Sequence, residues 1–228
     1  MSGSPGVVAR PANGRTVLID LDGTLVDPAV GIIEGFRRGL AALGAADVPA
    51  DQLGWIIGPS LRISYARLLG PGADVEIGVR GYRDYYGSEG LYRATPYPGI
   101  HEVVARLRAE AERVLICTAK PEVFARRVAS HFGFMDLIDG LYGPDLEGKL
   151  DNKGDLMALI REREPFDTTR AVMIGDRHHD VDAARRHGIA SIGVLWGYGS
   201  EAELTGAGAS LLCRSPADLP ETVARLIG

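Results

Sequence analysis

The chain has little cysteine, no long apolar run and no surplus of positive charge. Among its 228 residues are two cysteines, Cys117 and Cys213. Each closes an apolar run, "RVLIC" and "ASLLC", and reads as a small core residue. A disulfide framework is therefore excluded as the source of stability. No stretch approaches the roughly 20 consecutive apolar residues of a membrane-spanning helix. The opening "MSGSPGVVARPANGR" lacks the apolar core of a signal peptide, so a flexible tail over residues 1–14 and a cytoplasmic location are expected. Lys and Arg number 25 against 30 Asp and Glu, for a formal net charge of -5. That balance argues against a nucleic-acid polymer or an anionic membrane as partner. There is no internal repeat and no low-complexity tract.

What is present is a hydrophobic content of 46%, enough for a substantial core in one domain with an insertion or in two small domains. The segments "TVLI" (16–19), "RVLIC" (113–117), "AVMIG" (171–175) and "IASIGVLW" (189–196) read as strands buried on both faces, with "ASLLC" (209–213) as a shorter one. Helical patterns alternate with them. Residues 98–109 put Ile100, Val103, Val104 and Leu107 on one face, and 152–163 do the same with Leu156, Leu159 and Ile160. "HDVDAARRHG" ends in a glycine suited to a helix C-terminus. Alternating strand and helix predicts an α/β fold, a Rossmann-like three-layer α/β/α core around a parallel sheet. The first two strands are about 90 residues apart, too far for a single crossover helix. Most of that interval is helical in pattern, including "VGIIEGFRRGLAALG" with Val30, Ile33, Phe36, Leu40 and Leu43. The expected organisation is a core of residues 15–27 and 93–228 and an inserted helical cap over 28–92, with Pro96 and Pro98 marking the return.

Open α/β sheets place their sites outside the carboxyl ends of the strands. The first strand ends at Asp20, Leu21 and Asp22, the second at Thr118, Ala119 and Lys120, and the third at Gly175, Asp176 and Arg177 with Asp180 four residues beyond. The loop "LEGKLDNKGD" adds Lys149 and Lys153. Clustered carboxylates are costly without a compensating cation. Hard oxygen donors in that number suit Mg²⁺, held by carboxylates and a phosphate. Asp20 is placed for nucleophilic attack on phosphorus, and Asp22 for general acid and then base catalysis. Lys153 and the cation neutralise the transferring group. Thr118 and backbone N–H groups after Asp20 and Thr118, through Gly23, Thr24 and Ala119, hold its oxygens, and Gly23 gives the turn room. Each residue alone also has an ordinary role as a cap or a turn; four loops with the right residue types at one sheet end favour the joint reading.

These residues resemble the motifs of the haloacid dehalogenase-like hydrolase superfamily. "DLDGT" (20–24) is similar to its first motif, Thr118 in "ICTAK" to its second, Lys153 in "LDNKGDLMALI" to its third and "IGDRHHD" (174–180) to its fourth. The similarity runs from about residue 15 to 226. "WIIGPSLRISYARLLG", "GLYRATPYPGIHEVVARLR" and "GVLWGYGSEAEL" resemble phosphoglycolate phosphatase-like members. The resemblance implies Mg²⁺-dependent hydrolysis through an aspartyl-phosphate, with metal ligands from the Asp20 carboxylate, the Asp22 backbone carbonyl, Asp176, and Asp180 directly or through water. Ser60 departs from the pattern, since relatives more often have Pro there.

Lys153 is preferred to Lys149 because it opens a helical pattern. His178 and His179 are set beside an oxygen-preferring metal and are not taken as ligands. Arg62 is the candidate for gripping a substrate anion, while Tyr82, Tyr85 and Tyr86 read as packing. The function expected is hydrolysis of a small phosphorylated metabolite, phosphoglycolate-like or a nucleoside monophosphate, by a monomer or homodimer. The alternatives are a phosphomutase with the same motifs and a non-catalytic protein that binds phosphate compounds.

Overall fold

The computed structural model describes residues 14–228. The tail expected over residues 1–14 lies, except for Gly14, outside the described residues. The chain opens with strand β1 (Thr16–Ile19) and a two-residue strand β2 (Val26–Asp27), then helices α1 (Ala29–Ala42), α2 (Leu61–Leu69) and α3 (Val75–Tyr86). A second two-residue strand, β3 (Thr95–Pro96), precedes α4 (Ile100–Glu110), β4 (Arg113–Cys117), α5 (Glu122–His131) and β5 (Gly140–Tyr142). The remainder is α6 (Lys153–Arg163), β6 (Ala171–Gly175), α7 (His178–Arg186), β7 (Ala190–Val194), α8 (Glu201–Ala207), β8 (Leu211–Cys213) and α9 (Leu219–Ile227). Among the described residues no helix is long and apolar enough to cross a membrane.

Six strands form one parallel sheet in the order β5-β4-β1-β6-β7-β8. Its strands are mostly apolar because both faces are covered, with Thr16, Arg113 and Ser191 as the polar exceptions in β1, β4 and β7. Successive side chains on a strand point to opposite faces, and the core divides accordingly. Val17, Ile19, Val114, Ile116, Val172 and Ile174 belong to one cluster, which includes Ile100, Val103 and Val223 from α4 and α9. Leu18, Leu115, Cys117 and Met173 belong to the other, with Leu156, Met157 and Ile160 of α6 and Ala183 and Ala184 of α7. Each large aliphatic side chain so buried contributes about 1.5–3 kcal/mol before chain entropy is counted. The expected α/β architecture with a parallel sheet is the one observed.

Between β2 and β3 the chain is helical. Ile32, Phe36 and Leu40 recur at four-residue intervals on α1 and are fully or nearly buried, in a helix packed along α3. Asp74 caps α3 by accepting from the Glu76 N–H. β2 and β3 pair antiparallel, Val26 with Pro96 and Asp27 with Thr95, so the helical segment leaves and returns side by side. Several sequence boundaries shift. The strand expected over 189–196 ends at Val194, because the Trp196 indole leaves the sheet to donate to the Thr24 carbonyl at 3.0 Å. The strand expected from 209 begins at Leu211. The helix expected from 98 begins at Ile100, after the turn at Pro98 and Gly99. Strand β5 and the β2–β3 ribbon were not foreseen.

Candidate active site

β1 lies between β4 and β6. From β1 the chain builds outward through β4 and β5 on one side, then crosses to build β6, β7 and β8 on the other. Such a reversal opens a crevice at the carboxyl ends of the strands. Asp20 follows β1, Thr118 follows β4 and Asp176 follows β6. The Asp20 N–H donates to the Ile174 carbonyl at 2.9 Å, and its Oδ1 accepts from the Leu21 N–H at 2.8 Å. Its side chain is thus held from its own strand end.

Lys153, the first residue of α6, is 6% exposed. Asn152 caps that helix by accepting from the Gly154 and Asp155 N–H groups, which fixes where Lys153 starts. Its Nζ lies 2.5 Å from Asp180 Oδ1 and 3.1 Å from Asp20 Oδ2. Burial opposes the ammonium, but Asp180 and Asp20 outweigh it and hold Lys153 charged. Lys149 is exposed.

Asp20, Asp176 and Asp180 each offer a carboxylate oxygen within 4.8 Å of the others. All three are buried. Burial, reinforced by Asp180 and Asp20, pushes the Asp176 carboxyl up to about 8, although the Tyr198 N–H works against it. Asp180 is also raised by burial, in spite of Lys153. This is a hard-oxygen donor set carrying more negative charge than Lys153 balances, and it fits a divalent cation such as Mg²⁺. Asp180 additionally accepts from the Arg177 N–H at 3.1 Å, so the capping role open to it from sequence coexists with its place in the cluster.

A raised carboxyl favours the fold while protonated, and that contribution fades as pH climbs from the unfolded value near 4 through the folded value. Without divalent cation, the melting temperature is therefore expected to fall between about pH 4 and pH 8. Mg²⁺ competes with those protons, so the stabilisation it gives, read by thermal denaturation, should be several degrees larger at pH 8 than at pH 5. Equal shifts at both pH values would mean that the cluster does not take the cation.

The side chain of Asp22 turns away from this cluster and pairs with Lys120 Nζ in a largely buried ion pair. Burial raises the Asp22 carboxyl above its usual range against the pull of Lys120. Its Oδ1 is buried without a hydrogen-bond partner. Thr118 Oγ1 accepts from the Lys120 N–H at 3.2 Å. Asp20, Asp22, Thr118, Ala119 and Lys120 form one wall of a cleft whose other wall comes from the helical segment. Lys153 and His179 face an adjoining cleft, which Ala119 shares.

Gly23 has φ +80, and a Cβ there would fall within the Asp176 carboxylate. Only glycine suits that position. Thr24, expected at the substrate, is fully buried and donates its hydroxyl to Asp176 Oδ1 at 3.4 Å. Arg62 lines the cleft, yet its guanidinium is taken by Glu76, with Nε–Oε1 2.6 Å and Nη2–Oε2 3.2 Å. His178 Nδ1 lies 2.8 Å from Glu203. Burial pushes His179 down to about 4, keeping it neutral.

Two features escaped sequence reasoning. The sequence marks Lys120 only as a strand-end residue; a lysine two residues after Thr118 at the mouth of a buried strand is the available signal. The turn "WGYG" (196–199) shapes Asp176. The Tyr198 N–H donates to its Oδ2 at 2.8 Å, the Tyr198 hydroxyl donates to Asp27, and a Cβ on Gly197 would meet Asp176 and the Gly23 carbonyl.

Residues 17–194 match the family model described as haloacid dehalogenase-like hydrolase. A 5'-nucleotidase of Pseudomonas aeruginosa is 37% identical over 189 residues, covering 82% of this chain and 86% of the relative. A protein named tyrosine-protein kinase PtkA from Mycobacterium tuberculosis is 37% identical over 186 residues, 81% of this chain; the chain spans 63% of that relative's length. A phosphoglycolate phosphatase of Caulobacter vibrioides is 28% identical over 221 residues, 94% of this chain and 93% of the relative. Among solved structures, one described as a predicted phosphatase from Clostridium acetobutylicum superimposes with a TM-score of 0.89 at 31% identity, covering 93% of this chain and 99% of that one.

Proposed function

This chain belongs to the haloacid dehalogenase-like hydrolases and is a phosphatase by that kinship, and we propose that it is a Mg²⁺-dependent phosphomonoesterase of a small phosphorylated metabolite, working through an aspartyl-phosphate on Asp20. The observation that carries this reading is the convergence of Asp20, Asp22 and Thr118 on one cleft wall, with Lys153, Asp176 and Asp180 directly behind Asp20.

Each residue then has a defined task. A carboxylate oxygen of Asp20 attacks phosphorus, and the bond from phosphorus to the leaving alcohol breaks. Asp22, whose carboxyl is raised by burial, gives its proton to the departing oxygen. It then takes a proton from the water that attacks the phospho-aspartate, and inorganic phosphate leaves with Asp20 restored. Thr118 and the backbone N–H groups around it bind the phosphoryl oxygens. Lys153 holds the Asp20 and Asp180 carboxylates in register and offsets charge. Lys120 fixes Asp22 beside the cleft. Asp20, Asp176, Asp180 and the Asp22 carbonyl would hold the Mg²⁺, which supplies charge neutralisation on the transferring group when bound. The segment 28–92 acts as a cap over the cleft, choosing the leaving group and excluding bulk water.

Phosphate release from a panel of small esters is the direct test. With Mg²⁺, release is expected for at least one ester; it should vanish with chelator and return when Mg²⁺ is restored. Release indifferent to chelator would overturn the metal role, and no release from any ester would overturn hydrolysis.

A further inference from the structure

The cleft wall opposite Asp22 is built from one face of α3. Val79, Tyr82, Arg83 and Tyr86 follow the spacing of a single helical stripe, and all four line the cleft. The Tyr82 and Tyr86 rings stack with centroids 4.8 Å apart, and Phe124 of the core meets Tyr86 edge-on at 5.7 Å. Ile32, Ile56 and Leu61 extend this apolar lining. The lining continues directly from Asp22 and Lys120, since Lys120 Nζ lies 4.9 Å from the Tyr86 ring centroid. A leaving group attached to a phosphoryl at Asp20 therefore enters aromatic surroundings.

The charges there are already spoken for. A short acidic leaving group such as glycolate needs a free cation. Lys120 is paired with Asp22, and Arg62 with Glu76. Arg83 donates to the Leu146 carbonyl, and Asp145 and Asp151 line the same end of the cleft. Even with Asp22 carrying its proton, Arg62, Arg83 and Lys120 stand against Glu76, Asp145 and Asp151, which leaves no surplus positive charge for a carboxylate. Besides Ser60 Oγ, Arg83 Nε is a donor of a cleft-lining residue that is buried without a hydrogen-bond partner. A neutral group with a carbonyl or ring-nitrogen acceptor would satisfy it; leaving such a donor bare is costly.

We propose that the cleft takes a phosphate monoester whose leaving alcohol carries a neutral heteroaromatic ring, as a nucleoside does, in preference to one that carries a carboxylate. This rests on the phosphomonoesterase reading above and narrows its substrate class. The ring lies against Tyr82, Tyr86 and Phe124, and an acceptor atom on its edge meets Arg83. Tyr82 and Tyr86 thus both pack the helical segment and select the substrate.

The test compares esters that share a primary alkyl phosphate and differ in what the alcohol carries: uridine and adenosine 5'-monophosphates, ribose 5-phosphate and phosphoglycolate, all with the full chain and Mg²⁺. For at least one nucleotide, kcat/KM is expected to exceed that of ribose 5-phosphate and of phosphoglycolate by about tenfold or more. The ratio of nucleotide to ribose 5-phosphate should fall at least about threefold in Phe124→Leu. Tyr82→Leu serves as the second variant if circular dichroism finds the first unfolded. Equal rates across the set, a preference for phosphoglycolate, or a ratio unmoved in a folded variant would overturn the proposal and leave the phosphatase reading standing. No release from any of the four, nor from a wider ester panel, would overturn the phosphatase reading itself.

Discussion

Asp20→Asn is expected to abolish phosphate release, by on the order of 10³-fold or more in kcat, while leaving the fold intact. The amide is isosteric with the carboxylate but cannot attack phosphorus as an anion. Lys153 keeps its contact with Asp180 at 2.5 Å, so the cation behind the site stays in place. Removing one charge from a crowded set also relieves repulsion, because Asp20 is among the groups that raise Asp176 and Asp180. In the absence of divalent cation the variant should therefore melt no lower than the parent. Single-turnover phosphate release and thermal denaturation check the two halves. Substantial retained turnover would remove Asp20 from the nucleophile's role.

Lys153→Met carries the second large effect, and here stability falls with activity. The methionine fills similar space but leaves buried Asp20 and Asp180 without their ammonium. Breaking a buried pair costs about 3–5 kcal/mol, which for a chain of this size is on the order of 10 °C in melting temperature. The loss should shrink at low pH, where Asp180, raised by burial, protonates, and with added Mg²⁺, which replaces part of the missing charge. Turnover should stay low, by about 10²-fold or more, even where stability is restored. Lys149→Met, at an exposed loop position, should change neither. If Lys153→Met melts and turns over like the parent, the two lysines have been assigned wrongly.

The legible part of the molecule was the part governed by short-range pattern. β1, β4 and β6 were readable because a strand covered on both faces is a near-continuous apolar run, and their carboxyl ends then located Asp20, Thr118 and Asp176. Lys153 was readable because it opens a helical pattern, and a helix start fixes a Cα. The short pieces were not. β5 is Gly140–Tyr142, too brief for any periodicity, and β2 and β3 are two residues each. Nor were pairings between distant segments. Arg62 was expected to be free for an anion, and nothing within its own helix reveals that Glu76, on α3, holds it. Lys120 meets Asp22 across 98 residues of sequence, and Thr24 turns inward to Asp176 across 152. Such contacts depend on which elements the sheet order brings together.

The β2–β3 ribbon has a bearing on how such a chain diversifies. Asp27 and Thr95 are register partners, so the whole helical segment is an excursion that starts and finishes at neighbouring points. Lengthening an excursion of this kind costs only slowly growing closure entropy. The strands that carry Asp20, Thr118 and Asp176 pair with one another and not with the excursion. A lineage can therefore swap, extend or shorten what lies between Asp27 and Thr95 while the strand ends at Asp20, Thr118 and Asp176 keep their places. New side chains for recognition can be tried there without re-pairing the sheet.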